Sequence, residues 1–132
     1  MSNIRSFDYY LQRYQLGMSY TLDVEYDSPA SVRRNNRGAG IYRKAAQAIG
    51  EHYPERIRDF SKELSNENQD ARLATAVCIL TLMNAPEDIR ETAINMIREV
   101  AKNGSSLDRM AWGVWLERHP ECANIGMEKN TD

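Results

Sequence analysis

The chain reads as an all-α domain. Three observations predict this. Apolar residues recur at steps of three and four along most of its length. Helix-start signals, a small hydroxyl residue or a proline before an apolar run, punctuate it at regular intervals. No stretch of useful length shows the period-2 alternation of a half-buried strand. At 132 residues, 42% apolar and 27% charged, the chain has the length and composition of a single globular domain that needs no metal or disulfide to fold.

The first helix is carried by Ile4, Phe7, Leu11, Tyr14, Met18 and Leu22, one stripe of a long amphipathic segment. Gly17 interrupts it at a cost of about 1 kcal/mol relative to alanine. The stretch Ser19–Tyr26 alternates weakly but has no strand to pair with, so it reads as helix or helix end. Ser28-Pro29 then gives a capping hydroxyl followed by a proline at the first helical position. The second helix runs from there to about Tyr53, continuous through Gly38 and Gly40, with an inward stripe of Val32, Asn36, Ala39, Ala46, Ile49 and Tyr53. Asn36 on that stripe is expected to be a buried, hydrogen-bonded polar group that fixes the packing. Pro54 ends the helix.

A third helix over Glu55–Leu64 presents Ile57, Phe60 and Leu64 on one face. After the polar Ser65–Gln69 loop comes the segment Asp70–Met83, apolar on most of its circumference. It is predicted to be the buried centre of the fold. The fifth helix begins at Pro86 and turns Ile89, Ala93, Met96, Ile97, Val100 and Ala101 inward, with Arg90, Glu91, Asn95 and Arg98 opposite. Asn103-Gly104 should close it with a left-handed cap. Ser105, three residues before Asp108, starts a sixth helix with Leu107, Met110, Ala111, Val114 and Trp115 facing the core. The domain is expected to span residues 1–120, and residues 121–132 to form a flexible tail.

Charge is unevenly spread: residues 29–58 carry a net +5 and residues 59–132 a net −5, within an overall −2. Cys78 and Cys122 have no metal or redox spacing, and Cys78 reads as a small buried hydrophobe. The first ten residues lack an apolar signal core and no run approaches a membrane span, so a cytoplasmic location is expected. No HExxH, nucleophile triad or phosphate loop is present; His52 beside Glu51 and Glu55 is the sole acid–base grouping, and no catalytic residues, metal, cofactor or small-molecule substrate are assigned. The basic helix face Arg33, Arg37 and Lys44, the polar side of the fifth helix at Arg90, Glu91 and Arg98, and the half-exposed Trp112 are the candidate partner-binding residues. Nucleic acid, through residues 32–44, is the less favoured ligand, because the chain as a whole is acidic.

Segments of this chain resemble a bacterial family of helical-repeat proteins of unknown function. The carrying residues are Asn36 flanked by basic side chains, Arg72 after a polar turn, and the Ala85-Pro86-Glu87 junction. Ala71 stands where valine is commoner in that family. The resemblance implies a stack of antiparallel hairpins of the HEAT/armadillo kind, about six helices, with no assigned catalysis. By fold and size, small proteins of this kind also look similar to immunity proteins, which neutralise a cognate toxin by covering its active site; that analogy makes another protein, a toxin, the expected partner.

Overall fold

A computed structural model describes residues 3–22 and 24–126. Among them are seven α-helices and no strand: α1 Phe7–Thr21, α2 Pro29–His52, α3 Ile57–Phe60, α4 Gln69–Leu82, α5 Glu87–Asn103, α6 Ser106–Arg118 and α7 Pro120–Ala123. Local chemistry sets the starts. Ser6, Ser28, Asn68 and Ser105 each cap a helix by accepting a bond from a backbone N–H three residues on. α1 ends at Thr21, and Leu22 is extended, so most of the ambiguous Ser19–Tyr26 stretch is the connection to α2.

α1 and α2 form an antiparallel pair. The ring of Phe7 meets that of Tyr53 at 6.1 Å, while at the other end the Arg34 guanidinium lies 4.8 Å over Tyr20. Between these ends the backbones approach closely. A β-carbon on Gly17 would stand 2.6 Å from the Tyr42 nitrogen, and one on Gly38 would stand 2.5 Å from the Gly17 oxygen. Glycine at both positions is what lets the helices touch. This contact also fixes the rotation of α2. Gly38, Ala45, Ala46 and Ile49 are buried, whereas Asn36 is exposed. The stripe expected to bury Asn36 is therefore turned, and Asn36 is not the core polar group.

That place is taken by Thr75 of α4 and Tyr14 of α1. Their hydroxyls are 2.7 Å apart and both residues are fully buried. The Thr75 hydroxyl donates to the Ala71 carbonyl at 2.9 Å, so Tyr14 donates to Thr75. The Tyr14 ring packs edge-on against Phe60 at 4.7 Å and Tyr42 at 5.6 Å. Burial pushes the Tyr14 phenol far above its usual range, which keeps it a donor.

Residues 54–65 bury Ile57, Phe60 and Leu64, as their spacing predicts. They do so as one α turn flanked by 3₁₀ turns, Pro54–Arg56 and Ser61–Ser65, instead of one regular helix. α4 is central: Ala71, Leu73, Ala76, Cys78, Ile79 and Leu80 are all buried. Arg72 pins the preceding loop by donating to the Asn66 and Glu67 carbonyls at 2.8 and 3.0 Å.

α5 packs Ile89, Ala93, Ile94 and Ile97 inward. Gly104 follows with φ −74° and ψ −175°, extended rather than left-handed. The chain turns sharply there into the Ser105 cap. α6 corrects the sequence reading most. Leu107, Met110, Ala111 and Val114 face solvent, and Trp112, Trp115 and Leu116 lie half-buried against the body. The expected tail is also partly structured. α7 buries Cys122, and the Arg98 guanidinium donates to the carbonyls of Ala123 and Ile125. Residues 127–132 lie outside the described part.

Candidate functional site

Two concave surfaces lie on opposite sides of α2. On one side Tyr42 and Arg43 of α2, Trp112, Trp115 and His119 at α6, and Ala74, Val77, Cys78 and Leu82 of α4 line a groove of about 590 Å³. Asp70 and Thr81 complete it. Its aromatic wall is a packed set of rings. The Trp115 and His119 rings stack at 4.1 Å with an interplanar angle of 15°, and His119 Nδ1 is 2.8 Å from the Trp115 carbonyl. Trp112 leans on Trp115 at 6.1 Å. The Cys78 thiol beneath is pushed up to about 12 by burial, with Arg43 opposing. It is a neutral thiol at physiological pH, with the packing role of a small hydrophobe and no nucleophilic character. The groove therefore offers apolar contact and stacking, framed by the charges of Arg43 and Asp70.

The outer face of α6 adjoins this groove. Leu107 is 69% exposed, Met110 63% and Val114 39%. They stand at the i, i+3 and i+7 positions of one helix face. Most apolar residues of an isolated domain scatter singly on the surface; here three share one helix face beside the aromatic groove.

On the other side of α2, Tyr9, Tyr10 and Arg13 of α1 and Arg37, Gly40, Ile41 and Lys44 of α2 line a groove of about 410 Å³. Arg37 also lines a neighbouring cleft with Tyr20, Arg33 and Arg34. Among the described residues, none of these cations is in an ion pair.

The sequence-derived candidates thus fall in three places. Arg33, Arg37 and Lys44 share the basic face. Trp112 belongs to the aromatic groove. Arg90 and Glu91 face α7 and the segment after it: Arg90 lines a small cleft with Glu121 and Asn124, and a β-carbon on Gly126 would stand 3.5 Å from the Glu91 carboxylate. Arg98 is not a free contact residue; its guanidinium is spent on Asn95 and on the backbone of that same segment. Arg13 escaped sequence reading because it meets Arg37 and Lys44 only through the α1–α2 contact. His52 is half-buried at the end of α2, and among the described residues it has no hydrogen bond to Glu51 or Glu55. No three His, Cys, Asp or Glu side chains converge on a possible ion site among the described residues. No described helix is long and apolar enough to cross a membrane.

No protein-family model, curated protein or solved structure matches this chain.

Proposed function

We propose that the chain is a non-catalytic protein-binding module whose contact surface is the outer face of α6 together with the Trp112–Trp115 groove. The observation that carries this reading is the outward stripe Leu107, Met110 and Val114, apolar area that the fold leaves in water next to two aromatic anchors. Tryptophan supplies large buried area at low entropic cost, which is why it dominates contact energies. Toxin neutralisation, the form suggested by analogy of fold and size with immunity proteins, is one specific version of this reading.

The test is coexpression with the polypeptide encoded next to it, followed by calorimetric titration of the purified pair. A saturable complex that Met110→Glu together with Val114→Glu weakens at least a hundredfold supports the proposal. A complex indifferent to those changes, or no complex with the neighbouring polypeptide, counts against it. Toxin neutralisation requires in addition that the double variant lose protection of cells expressing the partner.

A further inference from the structure

The groove between α1 and α2 combines three features that the protein-binding reading does not use. The first is charge. Arg13, Arg37 and Lys44 point into one groove, and Arg33 and Arg34 continue the row past Tyr20. From Arg33 to Lys44 the row spans about 16 Å of helix. The second is aromatic surface. Tyr9 is 41% exposed, with the Arg5 guanidinium 5.1 Å over its ring, and Arg34 lies over Tyr20 in the same manner.

The third feature is Gly40. Gly17 and Gly38 are required by the backbone contact between α1 and α2, and a β-carbon at Gly50 would collide with the Leu82 carbonyl at 2.8 Å. A β-carbon at Gly40, like one at Gly113 of α6, would meet nothing within 4 Å. This glycine costs the helix about 1 kcal/mol relative to alanine without relieving any clash. It lies on the groove floor. Bare backbone there lets a ligand approach α2 closely.

We propose that the α1–α2 face binds single-stranded nucleic acid, with phosphates along Arg13, Arg37 and Lys44 and a base stacked at Tyr9 above the Gly40 floor. Cations that track a backbone, interleaved with exposed aromatic rings, are how sequence-tolerant single-strand binders work. The row matches the shortest sites of that class, about four nucleotides. A duplex conceals its base faces from such rings. An acidic peptide has the charge but no π-face for Tyr9. The surface lies across α2 from the aromatic groove, so the inference stands independently of the protein-binding proposal.

The experiment is fluorescence anisotropy of a labelled thymidine oligonucleotide of about ten nucleotides, titrated with the full chain between about 50 and 200 mM salt. Binding is expected at low salt, with a log–log salt slope of about −2 for three phosphate contacts. Arg37→Ala with Lys44→Ala should bring that slope to about −0.7. Gly40→Leu fills the floor without meeting any packed atom, so it should stay folded and bind at least tenfold more weakly. Both tryptophans are on α6, so intrinsic tryptophan emission should stay constant through the titration. Absence of binding at low salt would overturn the proposal. So would tighter binding of the matched duplex, equal competition by a polyglutamate peptide at the same charge concentration, or wild-type affinity in Gly40→Leu. Displacement by the peptide would mark the face as one for acidic protein segments.

Discussion

The hydrogen bond between Tyr14 and Thr75 is the buried polar link between α1 and α4, and its removal gives asymmetric results. Thr75→Val keeps the shape but leaves the Tyr14 hydroxyl, at 0% exposure, with only the weakly accepting Cys78 sulfur nearby. An orphaned buried donor costs about 1–3 kcal/mol. Tyr14→Phe costs less, about 1 kcal/mol, because the Thr75 hydroxyl still donates to Ala71. Removing both hydroxyls leaves an apolar contact of nearly native shape against Phe60 and Tyr42. The double variant should then cost about 1 kcal/mol, well below the roughly 3 kcal/mol sum of the singles. Urea unfolding of the four proteins, with a common slope, measures the cycle. If the double variant equals the sum of the singles to within about 0.5 kcal/mol, the two hydroxyls are not coupled and this account of the core is wrong.

Three further outcomes follow from the same packing. Gly17→Ala forces a β-carbon into the α2 backbone and should destabilise by about 1–3 kcal/mol, whereas Gly40→Ala should stabilise by about 1 kcal/mol; thermal melts of the pair check the contrast. Raising the pH should destabilise the fold. Cys78 and Tyr14 are held protonated inside, so above their ordinary values of 9.0 and 10.0 only the unfolded chain ionises. Stability should be flat to about pH 8.5, then fall by about 1.4 kcal/mol per pH unit as Cys78 becomes linked, and more steeply once Tyr14 joins. Urea midpoints against pH measure this, and Cys78→Ala should make the fall between about pH 9 and 10 shallower, leaving the contribution of Cys122, whose thiol burial also pushes up. Arg98→Ala removes the bonds that hold the segment after α7, so the buried Cys122 thiol should react with a thiol reagent at least tenfold faster than in the parent.

The helices were legible because their signals are local. Ser28-Pro29 and Ser105 are capping chemistry, and the apolar character of α4 follows from its own composition. What sequence could not supply was rotation. Which side of α2 meets α1 is decided by the Gly17–Gly38 approach, between residues 21 positions apart that have no side chains to register in a hydropathy pattern. Asn36 was misplaced for that reason. α6 departs from the assumption that the whole apolar stripe faces the core: Trp115 packs inward as expected, but with Trp112 and Leu116, while Leu107, Met110, Ala111 and Val114 face solvent. The basic groove was half-legible, since its α2 wall is a visible run of arginines while its α1 wall becomes relevant only on pairing. The packing of Cys122 depends on Arg98, 24 residues earlier.

The outward stripe of α6 is the claim on which the functional reading rests, and Trp112 and Trp115, the chain's two tryptophans, report on it directly. The decisive measurement is their emission as the coexpressed partner is titrated in. A saturable blue shift, lost with Met110→Glu and Val114→Glu while the fold is unchanged, is what this surface predicts. A tight complex that leaves both indoles unperturbed would place the contact elsewhere and contradict it.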